Sequence, residues 1–484
     1  MPQTTSPRPL AGSPDPPLCV DLDGTLVKSD TLVDSLLLLL RSRPALLLKM
    51  PGQLLLGKAA FKAFVSASVS LDVLHLPYNH ALLLFLQGER ARGRAIYLAT
   101  GADLSLAHRV AAHLGIFAGV LGSDGATNLT GVRKLDGLRA HLGSENFGYI
   151  GNARADLPLL AAAAEAMVAN PSLGLRLGLK MRGIRPTRQF YERDNPLKSL
   201  RKAMRLHQWT KNLLIFLPLL LAHALHAQRV FNALLAFLCF GLTASSAYIV
   251  NDLLDLEADR RHPRKRLRPF ASGDLSAFAG AGIAAAFLLA AFAGARLLPL
   301  GYSGWLLVYL ATTLAYSAFL KRIALVDALT LSGLYTLRLL AGGAATHTPI
   351  SHWLAGFSMF LFLSLAIVKR FAELENLRAS GTVPKNGRGY LLGDLQQMRS
   401  FGTSSAFAAA VVYANYISGR DVTRLYRHPK LLWLIMPLMI LWLCRVWLLA
   451  SRGELDEDPV AFALTDRVSL LIGAAVATVA LLAL

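Results

Sequence analysis

NDLLDLEADRRHPRKRLRPFASG, residues 251–273, follows an apolar run from Phe231 to Val250 that is long enough to span a bilayer. The acidic residues therefore sit where a transmembrane helix leaves lipid. If the helix continues, Asp252, Asp255 and Asp259 fall at i, i+3 and i+7 with Asn251 one turn before Asp255, and all four face one way. Carboxylates crowded on one face repel each other. A hard divalent cation removes that cost, and Mg²⁺ held by a few carboxylates keeps positions open for water and phosphate oxygens. The next nine residues, Arg260 to Arg268, hold six Lys or Arg. They suit a phosphorylated substrate bridged by metal on one side and clamped by guanidinium on the other. A solvated helix end followed by a positive-inside loop is the bland alternative. The spacing, the Asn before the first Asp and the RPxASG close favour the metal reading.

This stretch resembles the first aspartate-rich motif of the UbiA superfamily of intramembrane prenyltransferases. The metal and diphosphate argument stands without that resemblance.

The chain has 484 residues, 54% of them apolar, which is too long for one ordinary domain and points to a membrane protein. The net charge of +20 is concentrated between apolar runs, where it fits anionic headgroups and polyphosphate substrates. Nucleic acid is not the expected partner, because the basic residues are interleaved with spans and no nucleic-acid-binding module is readable. Cys19, Cys239 and Cys444 are far apart, so neither a disulfide framework nor a zinc site is indicated. Residues 1–17 read as a disordered tail without the basic and apolar regions of an export signal. The N-terminal part is therefore expected to stay in the cytoplasm.

LCVDLDGTLV, Leu18 to Val27, reads as a short buried strand ending in a tight acidic turn. Asp21 and Asp23, followed by Gly24 and Thr25, can place a nucleophilic carboxylate and a second acid side by side over Mg²⁺. This is similar to motif I of the haloacid dehalogenase (HAD) superfamily, and further motifs follow in that family's order. AIYLATGAD carries Thr100, GVRKLDGL carries Lys134, and YIGNARAD runs from Tyr149 to Asp156. The resemblance implies an α/β Rossmannoid domain over residues 18–170 with a helical cap at about 30–90. It implies Asp21 as the nucleophile, Asp23 as the acid/base, and Thr100 and Lys134 as holders of the phosphoryl oxygens. Asp21, Asp23, Asn152 and Asp156 would bind Mg²⁺. Asn152 stands where the family usually has Asp, so a neutral ligand replaces a charged one, and a degenerate, non-catalytic domain is the alternative.

The cap includes the leucine-rich stretch Leu32 to Phe61, broken by Arg41, Arg43, Pro44, Lys49 and Pro51, so no segment is long enough to span. Its helices suit either a membrane surface or ordinary packing on the core. Residues 171–198 are basic and turn-rich and read as a linker on the cytoplasmic leaflet. The rest, 199–484, reads as an all-α polytopic membrane domain of about nine spans: 211–226, 229–250, 276–296, 299–319, 322–345, 353–369, 402–418, 430–450 and 466–484. With the N-terminal part in the cytoplasm of a bacterial inner membrane, the even-numbered spans return to basic loops on that side. Lys211 in RLHQWTKN opens the first span, and Asp327 and Arg338 are charges inside an apolar run that need a partner or water.

Within the UbiA superfamily the chain looks most like decaprenyl-phosphate phosphoribosyltransferases. HQWTKN (207–212), the 251–273 block, YS with LK (316–321), LRLLAGGAATH (337–347), KRFAEL (369–374) and DEDPVAFALTDR (456–467) carry the likeness. It implies transfer of 5-phosphoribose from phosphoribosyl pyrophosphate to a polyprenyl phosphate lipid. Asn251, Asp252, Asp255 and Asp259 would hold Mg²⁺ on the pyrophosphate, with Asp252 and Asp255 central to catalysis. Arg260, His262, Lys265 and Arg268 would clamp the sugar's phosphates; Lys321, Arg322, Lys369 and Arg370 would bind the lipid phosphate, with Lys211 and Arg338 facing the same cavity. A phosphatase beside such a transferase would remove the 5-phosphate left on the product. Two alternatives stand: prenyl transfer to an aromatic acceptor, and a non-catalytic membrane protein with a regulatory HAD-like domain. The oligomeric state is left open, a homo-oligomer included.

Overall fold

The computed structural model describes residues 15–223, 225–379, 388–455 and 459–484. The chain forms two compact units, Met1–Met204 with Tyr248–Ala284, and Arg205–Ala247 with Ala285–Leu484. Most of the expected N-terminal tail lies outside the described residues; within them, Pro16 and Pro17 accept hydrogen bonds from Arg94 and Gly148.

The first unit is built on a six-stranded parallel sheet in the order β3-β2-β1-β4-β5-β6. Its strands are β1 (Leu18–Val20), β2 (Ile96–Asp103), β3 (Gly119–Ser123), β4 (Gly148–Gly151), β5 (Glu165–Ala169) and β6 (Arg188–Phe190). Parallel strands need helical crossovers and are covered on both faces, which is why β1 reads as an uninterrupted apolar run. Leu18 and Val20 enter one core with Leu82, Leu98 and Ile150, whereas Cys19 points the other way, among Leu138, Tyr149 and Val168.

The helices of this unit are α1 (Thr31–Ser42), α2 (Met50–Leu55), α3 (Lys58–Ser68), α4 (His80–Ala91), α5 (Leu104–Leu114), α6 (Val132–Leu142), α7 (Leu157–Ala162), α8 (Leu173–Met181) and α9 (Pro196–Met204). Side chains of Asp30, Asn79, Asp103 and Ser172 accept from first-turn amides of α1, α4, α5 and α8, so each helix starts where a short polar residue satisfies otherwise unpaired donors.

The expected linker at 171–198 is folded. It supplies α8 and the edge strand β6, whose Phe190 is buried in the sheet's core, so the α/β fold runs past residue 170. The cap lies between β1 and β2, as expected. Its α1 packs on α3, but Leu48, Leu54, Leu55 and Leu56 face outward, with Leu55 90% exposed. These leucines are not core residues of the cap.

In the second unit, the run expected as the first span is a 3₁₀ stretch, Leu206–Phe216, followed by the short α10 (Leu217–Leu221), with Pro218 at the α10 start. Then come α11 (Ala227–Leu254), α12 (Leu256–Arg261), α13 (Ala277–Ala295), α14 (Leu300–Ala318), α15 (Val326–Thr346), α16 (His352–Ala379), α17 (Leu395–Ile417), α18 (Arg420–Leu425), α19 (Ile435–Ser451), α20 (Pro459–Thr465) and α21 (Arg467–Ala483). The end of α11, all of α12 and the start of α13 belong to the first unit. Among the described residues four helices are long and apolar enough to cross a membrane: Ala227–Leu254, Ala277–Ala295, His352–Ala379 and Pro429–Ser451. Helices α14 to α17 pack each on the next in chain order. Trp209 lies flat on α11 because Gly241 has no Cβ: one there would sit 2.8 Å from the indole, whose Nε1 donates to Ser245 Oγ at 3.0 Å.

Candidate active sites

Strand register gathers the first set of functional residues. Val20 pairs with Leu98 on one side and Ile150 on the other, so Asp21 and Asn152 follow the carboxyl ends of β1 and β4, and Thr100 lies two residues beyond Leu98 within the adjacent β2. The strand order reverses between β1 and β4, which is where parallel α/β sheets bind ligands. Gly24 turns the chain here at φ +74°, and a Cβ on it would fall 1.9 Å from Asn152 Nδ2.

Lys134, buried near the start of α6, donates to Asp21 Oδ1 at 2.6 Å and stands 3.5 Å from Asp156 Oδ1. Thr25 Oγ1 lies 3.5 Å from Asp21 Oδ2. Asp23 Oδ1 accepts from the Thr31 amide at 2.8 Å. Burial pushes the Asp21 carboxyl up to about 6 against the pull of the Lys134 ammonium. It pushes Asp23 further, to about 8, with help from the Asp30 carboxylate. Near neutral pH this favours a charged Asp21 beside a protonated Asp23.

Thr100 Oγ1, also buried, accepts from the Ala102 amide at 3.0 Å. Asn152 Oδ1 is buried and has no hydrogen-bond partner among the described residues, an oxygen donor that a hard cation would satisfy. Asp156 does not fit the metal role expected of it. One carboxylate oxygen accepts from Tyr149 Oη at 2.8 Å, and the other from the amides of Asn152 and Ala153 at 3.1 and 3.0 Å. Asp156 thus shapes the loop that carries Asn152. Sequence reasoning missed Lys62 of the cap, which donates to Gly101 O at 2.6 Å and Asn128 Oδ1 at 2.8 Å beside Asp23. No motif marks it.

The aspartate-rich stretch belongs to the same unit and departs from the single acidic face expected of it. Helix α11 ends at Leu254, and Asp255 caps α12. Arg268 Nη1 donates to Asp252 Oδ1 at 3.0 Å and Asp259 Oδ2 at 2.6 Å, so two largely buried carboxylates converge on one cationic nitrogen. That donor set suits a hard cation. Asp255 turns away to the guanidinium of Arg41 on α1, which also donates to Leu254 O at 2.8 Å. Asn251 sits half-buried in the last turn of α11. Among the described residues no three His, Cys, Asp or Glu side chains come together as a metal cluster.

The expected phosphate clamp is only partly available. Arg260 is buried, donating to Asp34 Oδ2 at 2.9 Å, Ser29 Oγ at 3.0 Å and Ala271 O at 3.4 Å, so its guanidinium ties this stretch to the α/β core instead of a substrate. Arg268 is engaged by the two aspartates. His262 and Lys265 are exposed, and His262 Nδ1 accepts from the amides of Arg264 and Lys265.

In the second unit Arg370 is buried in an ionic network and is not an open lipid-phosphate ligand. It contacts both oxygens of Asp327, donates to Glu373 at 2.7 and 2.9 Å, and lies 3.0 Å from Tyr316 Oη. Tyr316 in turn donates to Asp327 Oδ1 at 2.7 Å, giving this buried aspartate in an apolar run a partner. Arg338 is likewise buried, hydrogen-bonded to Asn212 Oδ1 at 2.9 Å and enclosed by the rings of Phe240, Tyr309 and Tyr335. Lys211 lies over the Tyr335 ring, 5.8 Å from its centre. Lys321 and Lys369 are half-buried and Arg322 is exposed.

The UbiA prenyltransferase family matches residues 213–471, more than half of the chain. The chain belongs to the UbiA prenyltransferase family. This UbiA-family chain is 38% identical over 473 residues to an uncharacterized protein of Sinorhizobium fredii, covering 97% of this chain and 91% of that one, so the relative shares both the α/β and the helical parts. It is 33% identical over 285 residues to the decaprenyl-phosphate phosphoribosyltransferase of Mycobacterium tuberculosis, a match over 57% of this chain and 92% of the relative. Among solved structures, a UbiA homolog from Archaeoglobus fulgidus bound to GPP and Mg²⁺ is similar at 16% identity and a TM-score of 0.44, covering 58% of this chain and 96% of that one. With four membrane-length helices, the UbiA-family protein is a multi-pass membrane protein.

Proposed function

We propose that this protein moves 5-phosphoribose from phosphoribosyl pyrophosphate onto a polyprenyl phosphate, releasing pyrophosphate, and then removes the 5-phosphate with its α/β unit, a HAD-type phosphatase. The observation that carries the two-step reading is that both acidic clusters, Asp21–Asp23 and Asp252–Asp259, belong to one compact unit. A transferase whose product keeps a phosphate monoester gains from a phosphatase held nearby, because tethering raises the effective concentration of the second site. The relative from Mycobacterium tuberculosis supports the choice of donor and acceptor.

In the transferase step Asn251, Asp252 and Asp259 would hold Mg²⁺, which when bound offsets charge building on the leaving pyrophosphate. Arg268 positions the two carboxylates, and the exposed His262 and Lys265 are the groups left to meet the sugar's phosphates. Lys321, Arg322 and Lys369 are the candidates for the lipid phosphate. In the phosphatase step, the charged Asp21 attacks phosphorus while Lys134 and Thr100 receive the phosphoryl oxygens, and the protonated Asp23 gives its proton to the departing ribose oxygen. Asp21 and Asn152 would hold the Mg²⁺ of this second site.

The same reading carries nine crossings of a bacterial inner membrane, with the α/β unit in the cytoplasm. Helices α14, α15, α17 and α21 add to the four long apolar ones. A 3₁₀ run rises about 2 Å per residue, so Leu206–Leu221 reaches about 30 Å and matches the hydrocarbon thickness without being one α-helix.

The test is to supply purified protein with labelled phosphoribosyl pyrophosphate and polyprenyl phosphate. Wild type should yield lipid-linked ribose without its 5-phosphate, and Asp21→Asn should accumulate the phosphorylated lipid at an undiminished transfer rate. No label in lipid overturns the transferase; the same phosphorylated lipid from both proteins overturns the phosphatase.

A further inference from the structure

A cavity of about 850 Å³ lies within the first unit, walled by α1, the end of α3 and residues 253–261. Its lining joins cations to leucines: Arg43, Arg109 and Arg261 share it with Leu38, Leu253 and Leu254. Of its five arginines, Arg41, Arg260 and Arg261 are ion-paired with Asp255, Asp34 and Glu257, and among the described residues Arg43 and Arg109 have no carboxylate partner. Such a wall favours an anion with an apolar body. A free sugar phosphate or a nucleic acid has no use for the leucines.

A second, smaller cavity of about 80 Å³ holds Asp23, Asp30 and Lys62. Ser66 lines both spaces, and its Oγ lies 3.3 Å from that of Ser105, another residue of the large cavity. The small space has room for a phosphoryl group and little else, so the remainder of any substrate must lie in the adjoining one. A volume of 850 Å³ is near the upper end of ligand pockets, which run to about 1,000 Å³. Leu253 and Leu254 are also the last residues of α11, a helix of membrane-spanning length. A tail leaving the cleft along them would lie on the end of α11.

We propose that this cleft seats the polyprenyl-phosphate portion of a lipid-linked phosphate monoester and presents its distal phosphate to Asp21 and Asp23 past Ser66. The proposal rests on the phosphatase reading and specifies its substrate: the α/β unit acts on a lipid held in place, not on a soluble sugar phosphate.

Two measurements on the full-length protein in detergent test it. Ala67 is exposed in the cleft wall, and Cys19 and Cys239 are buried. With the exposed Cys444 changed to Ser, maleimide labelling of Ala67→Cys should slow at least fivefold when polyprenyl phosphate is added to the micelles. Ribose 5-phosphate or phosphatidylglycerol at equal concentration should leave the rate unchanged. No protection by polyprenyl phosphate, or equal protection by phosphatidylglycerol, overturns the cleft; the latter makes it a general bilayer contact. In the second measurement, Arg43→Glu with Ala67→Trp should raise KM for the lipid-linked phosphate monoester at least tenfold while p-nitrophenyl phosphate hydrolysis stays within twofold. An equal loss on both substrates overturns the proposal. Protection at position 67 in a protein that hydrolyses neither substrate keeps the cleft and sinks the phosphatase reading, so the two failures are distinguishable.

Discussion

Arg260 and Asp34 form an ion pair at 2.9 Å with side chains only 4% and 2% exposed, joining the aspartate-rich stretch to α1 of the cap across 226 residues of sequence. Removing one partner leaves the other charged and buried, which costs about 3–5 kcal/mol. Arg260→Ala should therefore destabilise the first unit by that order, read as a lower denaturant midpoint. Arg260→Met with Asp34→Leu should recover most of the loss.

The convergence of Asp252 and Asp259 on Arg268, with Asp255 bound to Arg41, separates three aspartates that look equivalent in sequence. Asp252→Asn and Asp259→Asn should each lower label transfer into lipid by about 100-fold or more, the size expected for a lost electrostatic stabiliser. Asp255→Asn should retain at least a tenth of wild-type transfer. Equal loss in all three would return Asp255 to the metal site.

In the proposed phosphatase step Asp23 protonates the leaving oxygen, so its importance should track the leaving group. Asp23→Asn should slow hydrolysis of a ribose 5-phosphate ester by about 10²–10⁴-fold. The loss on p-nitrophenyl phosphate, whose phenolate departs without a proton, should be much smaller. Identical losses on the two substrates would argue for a structural role.

Gly24 combines a left-handed backbone with contact against Asn152. Gly24→Ala should cost about 1–2 kcal/mol from the backbone alone and also displace Asn152. Phosphatase activity should fall while lipid labelling by the transferase persists; loss of both would mean that the whole unit had unfolded.

Much of the first site was legible because its residues follow strands whose apolar runs are unmistakable: DLDGT places Asp21 at the end of β1, and YIGNARAD places Asn152 at the end of β4. The second site was half legible. Spacing along an uninterrupted helix put three aspartates on one face, but the break at Asp255 and a guanidinium from α1 redistribute them, and both are tertiary facts. Arg260 was misread for a related reason. In a run of six cations nothing local tells which one meets a carboxylate 226 residues away. Strand β6 escaped notice because two of its three residues, Arg188 and Gln189, are exposed at a sheet edge and leave no apolar signature. Asp327 is the opposite case: an aspartate in an apolar run had to find a partner, and Arg370 with Tyr316 is that partner.

The first unit is assembled from two separated pieces of chain, 1–204 and 248–284, with 205–247 belonging elsewhere. During synthesis, then, the sheet can close while the cap's Asp34 still waits for Arg260, and at about 5–20 residues per second the wait is on the order of seconds. A protein truncated at Met204 would lack the partner of the buried Asp34 and be an unfinished domain.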